Sequence, residues 1–276
     1  MILVTGATGN AGGAVVRALT TAEEEVRAVV READHQALPA GAEAVVGDLN
    51  RPDTLAPHLD GVSAAFILSG YEGLEETLAN MHRAGVERVV LLSSSAAPSG
   101  DLTNAVARYH ILSERTVRES GLAWTFLRPN SFMSNTFQWL PQLRQGDVIR
   151  APFPDARVAT IDPDDLGAVA AAALTSRAHE GRAYRLSGPE SLLPAERVMT
   201  LAKVLGRELR FEGQSNEEAR AEMSEAMPPE YVDAFFKFFA DGELDESQVL
   251  PTVEEITGRP PGTFEEWARA HSDVFR

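Results

Sequence analysis

The sequence predicts an α/β protein: a doubly wound parallel sheet carrying a small C-terminal α/β lobe. Two observations predict it. Short apolar runs alternate with amphipathic stretches of helical period, the pattern of strands joined by crossover helices. The first run, Ile2–Val4, is separated from the first amphipathic stretch by glycines at three-residue spacing, Gly6, Gly9 and Gly12. An all-apolar run of that length suits a central strand buried on both faces.

Val15, Val16 and Leu19 follow at helical spacing, so the order is strand, glycine turn, helix. Gly6 would allow the tight turn, Gly9 the approach of a phosphate to the backbone, and Gly12 close packing of helix on strand. The helix N-terminus offers unpaired N–H groups and partial positive charge to a pyrophosphate, so this stretch reads as a dinucleotide (Rossmann-type) site, against a glycine-rich turn that holds no ligand. Val26–Val30 is the second strand and ends at Arg31, where an arginine accommodates the 2′-phosphate of NADP. A solvated arginine at a strand end is the competing reading. Ala44–Val46 is a third strand. Asp48 after it either accepts from the adenine amino group or caps a short helix over Thr54–Leu59.

Ala64–Leu68 and Arg88–Leu92 are the fourth and fifth strands, ending in Ser69 and in Ser93-Ser94-Ser95, with a helix over Leu74–Ala84 between them. A helix over Asn104–Ser120, stopped by Gly121, leads to a sixth strand, Ala123–Leu127. Val148–Arg150 and Arg157–Ile161 read as short strands. Asp162 and Pro163 then open an alanine-rich helix through Leu174. Tyr184–Leu186 is a strand, Pro194–Leu205 a helix stopped by Gly206, and Glu208–Phe211 a last strand. Tyr231, Val232, Phe235, Phe236, Phe238 and Phe239 share one helix whose wide apolar face is either core or a lid over an aromatic-lined pocket. Phe264, Trp267 and Phe275 dock the tail on the body.

With 276 residues, 44% of them hydrophobic, the chain is long enough for one large domain plus a small lobe. Its net charge of −16 disfavours nucleic acid. The absence of cysteine excludes disulfides and thiolate chemistry, and no cluster has metal-ligand spacing. No apolar run is long enough to span a bilayer, and a strand beginning at residue 2 leaves no room for a leader, so a cytoplasmic protein is expected. Only Lys203 and Lys237 are lysines, a compositional bias toward arginine that discounts any isolated Arg.

Five stretches together resemble the NmrA-like group of atypical short-chain dehydrogenases/reductases, in its bacterial NAD(P)H-binding oxidoreductase branch. They are Thr5-Gly6-Ala7-Thr8-Gly9-Asn10-Ala11-Gly12, Arg31, Ser120–Thr125 with Arg128-Pro129 and Phe132-Met133, Leu186–Glu190, and Thr257–Pro261. The resemblance implies a cofactor cleft with Gly6, Thr8, Gly9, Asn10 and Ala11 at the pyrophosphate and Arg31 at the 2′-phosphate, hence NADP(H) over NAD(H). It places Asp48 and Leu49 at the adenine, and Leu68, Ser69, Ser93 and Ser94 along the ribose and nicotinamide side. Pro129, Asn130 and Phe132 would border the nicotinamide. It also implies a division into residues 1–150, with 157–186 returning to them, and a smaller, mainly helical substrate lobe over 187–276.

Many short-chain dehydrogenases use Tyr followed four residues later by Lys, whose ammonium lowers the phenol pKa. Four residues after Tyr71, Tyr109, Tyr184 and Tyr231 stand Glu75, Ser113, Gly188 and Phe235, so the pair is absent. Tyr109 and His110 are the candidate proton donors. Glu114, one turn on, would orient the imidazole, unless His110 and Glu114 are only a surface pair. Two functions follow: an oxidoreductase reducing a small electron-poor acceptor such as a quinone, enone or imine, or a non-catalytic NADP(H) sensor that binds a protein partner. A sugar-nucleotide epimerase is a weaker third, because that chemistry leans on the missing pair. The expected partner is a small apolar or aromatic substrate, with no nucleic acid and no membrane, and a homodimer is the candidate assembly.

Overall fold

The computed structural model describes residues 1–31 and 38–276. Nine strands run in chain order as β1 (Ile2–Val4), β2 (Val26–Val30), β3 (Ala42–Val46), β4 (Ala64–Leu68), β5 (Arg88–Leu92), β6 (Ala123–Pro129), β7 (Val148–Ala151), β8 (Arg182–Leu186) and β9 (Arg210–Gly213). Seven form one parallel sheet in the order β3-β2-β1-β4-β5-β6-β8. The chain reverses direction across this sheet between β1 and β4, the place where a doubly wound sheet opens a crevice at its C-terminal edge. The remaining two, β7 and β9, pair in parallel as a separate small sheet.

Alternation of side chains along the strands divides the core into two layers. Ile2, Val4, Phe66, Val90 and Leu127 face one side, where α1 (Asn10–Thr21) and α5 (Pro163–Thr175) cover them with Val15, Val16, Leu19, Leu166 and Val169. Leu3, Ala65, Ile67, Val89, Leu91 and Phe126 face the other, under α2 (Leu74–Arg83) and α3 (Ala105–Glu119), which contribute Leu74, Leu78, Met81 and Val117. Each fully buried Leu, Val or Phe contributes roughly 1.5–3 kcal/mol relative to exposure. The sheet is therefore a rigid support whose strand ends can be held in fixed relation.

The C-terminal lobe has its own core. The short α4 (Leu140–Leu143), α6 (Pro194–Leu205) and α10 (Phe264–Ala270) enclose Trp139, Leu143, Leu201, Phe264, Trp267 and Phe275 against β7. Phe264, Trp267 and Phe275 are buried as the sequence implies. Beyond β9, α7 (Asn216–Ala226) and α8 (Pro229–Phe239) pack on each other, and α9 (Thr252–Thr257) returns to the main sheet.

Three expectations are corrected. Arg157–Ile161 is not a strand. Val158 bridges Leu192, Ile161 bridges Phe132, and between them the Ala159 N–H donates to the Glu246 carbonyl at 2.7 Å. Successive backbone groups are thus satisfied by different loops, so no ladder forms. The helix over Thr54–Leu59 is two single turns, Pro52–Thr54 and Ala56–His58. Pro57 has no N–H and cannot continue a helix. The last strand begins at Arg210, two residues after the expected Glu208.

Candidate cofactor cleft and adjoining cavity

Gly6 has φ +63°, a left-handed conformation that disfavours any side chain, and its carbonyl accepts from the Gly9 N–H at 2.9 Å. A Cβ on Gly12 would stand 2.2 Å from that same carbonyl oxygen, so only glycine lets α1 approach the turn this closely. Gly9 caps α1 with no side-chain hydrogen bond, which leaves the amides of the first turn to a ligand. Thr8, Gly9 and Asn10 line an open cleft beside this turn. A cradle of bare main-chain donors at a helix start, kept clear by glycines, fits a dinucleotide pyrophosphate.

Next to it lies a second cavity of about 370 Å³. Leu68, Ser69, Ser93, Ser94, Pro129, Asn130 and Phe132 line it from the C-terminal ends of β4, β5 and β6, and Tyr109 and His110 from α3. These residues converge as expected, because parallel strands present their C-terminal ends at one edge. A Cβ on Gly6 would meet the Leu68 side chain at 2.6 Å, so the glycine turn and this cavity share a wall. From the C-terminal lobe come Phe235, Phe238 and Phe239 of α8. The apolar face of α8 serves both uses foreseen for it. Val232 and Phe236 pack in a core with Ala219, while Phe235, Phe238 and Phe239 roof the cavity.

Several polar side chains near the cavity are already committed. Ser69 Oγ donates to the Leu92 carbonyl at 2.6 Å, and Ser93 Oγ to Glu114 at 2.7 Å. Glu114 does not orient His110. Its carboxylate is buried in a two-point pair with Arg128, at 2.8 and 2.6 Å. The two residues are not a surface pair either, since both are buried. His110 Nδ1 has no hydrogen-bond partner, and burial pushes its pKa down to about 3, so the imidazole is neutral at pH 7. Tyr109 lies against His110 with ring centroids 4.1 Å apart, and burial raises its pKa further above that of a free phenol.

Asn130 Nδ2 donates to the Ala159 and Glu246 carbonyls, leaving Oδ1 buried and unpartnered. Glu246 is the residue that sequence reasoning missed. It lies 115 positions beyond Ser131 in an acidic stretch, yet its buried carboxylate accepts from both the backbone N–H and the hydroxyl of Ser131.

The remaining candidates stand outside this cavity. Arg31 is exposed immediately after β2. Asp48 caps no helix; its Oδ1 closes a local turn with the Asn50 N–H at 2.9 Å, and Oδ2 contacts Arg51. Leu49 is buried among the side chains under β2 and β4. Ala11 is half-buried in the first turn of α1.

Residues 6–177 match the family described as NAD(P)H-binding. Over its whole length the chain is 40% identical to a (4-alkanoyl-5-oxo-2,5-dihydrofuran-3-yl)methyl phosphate reductase of Streptomyces griseus, covering 99% of that protein. It is 34% identical, again over its whole length and 99% of the relative, to an NAD(P)H azoreductase of Xenophilus azovorans. An NADPH-dependent quinone oxidoreductase of Escherichia coli, solved with NADPH, superposes over all of both chains with a TM-score of 0.80 at 25% identity. Glycine turn, strand order and these full-length matches agree: the chain belongs to the NAD(P)H-binding family, and its fold is shared by an NmrA protein with a TM-score of 0.74 at 17% identity.

Proposed function

We propose that the chain is an NADP(H)-dependent oxidoreductase that reduces a small, electron-poor, apolar or aromatic acceptor of the quinone, enone or imine type. The observation that carries this reading is the cavity itself: it adjoins the glycine turn and is roofed by three phenylalanines. Among the described residues no Arg or Lys lines it, so it suits an uncharged acceptor better than a phosphate ester of the kind for which the Streptomyces relative is named. Relatives named azoreductase and quinone oxidoreductase support the acceptor class.

In this reading Gly6, Thr8, Gly9, Asn10 and Ala11 hold the pyrophosphate, Arg31 the 2′-phosphate, and Asp48 and the main chain at Leu49 the adenine. Leu68, Ser69, Ser93 and Ser94 flank the ribose, and Pro129, Asn130 and Phe132 the nicotinamide. Bound reduced nicotinamide supplies hydride. Phe235, Phe238 and Phe239 exclude water from the acceptor, and Tyr109 and His110 shape its site. Residues 1–150 and 157–186 form the cofactor half, except that α4 and β7 pack into the lobe over 187–276 that closes the substrate side.

NADPH consumption against a panel of quinones, enones and imines tests the proposal. Turnover with at least one class is expected. Tight NADPH binding without any turnover would instead select the sensor, the reading favoured by the missing Tyr/Lys pair. Arg31→Ala is expected to weaken NADPH binding roughly 10- to 100-fold, the worth of a charge-assisted contact, and to leave NADH binding unchanged. Equal losses for both cofactors would remove Arg31 from the 2′-phosphate.

A further inference from the structure

The reduction proposed above needs a proton, and neither candidate on α3 is suited to give one. The Tyr109 phenol is held above its ordinary pKa, and the His110 imidazole is already neutral. Across the cavity stands Glu246, on the segment joining α8 to α9 and only 5% exposed. Its Oε1 accepts from Ser95 Oγ at 2.6 Å and from the Ser131 N–H at 3.1 Å. Its Oε2 accepts from Ser131 Oγ at 2.7 Å. Ser131, whose hydroxyl donates to this carboxylate, also lines the cavity, as does Glu246.

We propose that Glu246 is the proton source of the reduction and that the Ser131 hydroxyl hands the proton to the acceptor. This rests on the reductase reading. The acceptor takes two electrons and one hydrogen as hydride from the dihydronicotinamide, which is oxidised to the nicotinamidium. The oxygen or nitrogen left anionic gains the Ser131 hydroxyl proton as the Glu246 carboxyl O–H breaks and reprotonates Ser131 Oγ. Glu246 is left as carboxylate and regains its proton from solvent before the next cycle.

The charged and titratable groups around Glu246 are few. Burial raises its pKa above the usual carboxylate range, against the hydrogen bonds from Ser95 and Ser131 that favour the carboxylate, and this keeps a proton available closer to neutrality. Arg185 on β8 opposes that shift by its charge, but its Nη2 donates to the Asp245 carbonyl at 3.2 Å and not to the Glu246 carboxylate. The Asp245 carboxylate is engaged by Ser247 and Gln248. Tyr109 and His110 face the cavity uncharged.

The test compares the parent chain with Glu246→Gln and Ser131→Ala, reading kcat against pH with a quinone and with an imine. Gln can still accept from the Ser131 N–H and donate to Ser131 Oγ, and Ser131→Ala leaves the carboxyl in place should Glu246→Gln fold poorly. The parent kcat is expected to fall as pH rises through the Glu246 pKa. Each variant should lose about 100-fold in kcat together with that dependence, at unchanged NADPH affinity. Infrared difference spectra across the same pH range should show a protonated carboxyl band that titrates in the parent and is missing from Glu246→Gln. No NADPH oxidation by the parent overturns the reductase reading and this inference with it. Turnover and pH dependence retained in both variants, or a carboxyl ionised throughout, overturns the role of Glu246 alone.

Discussion

Two neighbouring residues show what burial does to chemistry on this scaffold. His110 is held neutral with an unpartnered Nδ1, which couples it to stability. The unfolded chain binds a proton near pH 6.5 and the folded chain only near pH 3, so the unfolded state holds more protons between those values. The stability that follows is complete above pH 6.5 and is lost as pH falls toward 3. At 1.36 kcal/mol per unit the loss is roughly 4–5 kcal/mol. His110→Gln should flatten the acid limb of unfolding free energy against pH, measured by denaturant titration; parallel limbs would refute the coupling. The glycine turn was legible because its main-chain geometry is one that Gly6 and Gly12 alone permit. Glu246 was not, because a carboxylate in an acidic stretch gives no local sign of the Ser95 and Ser131 hydroxyls it will meet. The Glu114 assignment failed for a related reason: i,i+4 spacing shows which side chains can meet, but Arg128 on a neighbouring strand binds the carboxylate instead.

Among the elements, α3 and α8 decide the form of the cavity. Asn104 caps α3, accepting from the Val106 and Ala107 N–H groups at 3.0 Å, and its amide donates to the Ala234 carbonyl of α8. One buried side chain thus starts the helix that bears Tyr109 and His110 and ties it to the helix that roofs them. Asn104→Ala should cost about 1–2 kcal/mol of stability and raise KM for an apolar acceptor more than it lowers kcat. Loss of stability with KM unchanged would confine Asn104 to capping. Strands buried on both faces were readable to the residue, as β2, β4 and β5 show, because their apolar runs end sharply at polar residues. Arg157–Ile161 carried a similar run but no single partner strand, which no local pattern reveals.

At the scale of the molecule, a parallel sheet with two covered faces fixes the strand ends, and the C-terminal lobe closes one side of the crevice they form. No helix among the described residues is long and apolar enough to cross a membrane. The fold class and the glycine turn were legible because both follow from periodicity and glycine placement near the N-terminus. The far wall of the cavity was not, since it is assembled from α8 and Glu246, more than 100 residues beyond the strand ends they meet. The proposed function depends on a dinucleotide seated at the turn between β1 and α1. Calorimetric titration of the purified chain with NADPH tests this most directly. One mole bound per mole of chain, accompanied by a higher unfolding temperature, is the result predicted. Neither heat of binding nor any shift in unfolding temperature with NADPH, NADP+, NADH or NAD+ would contradict it.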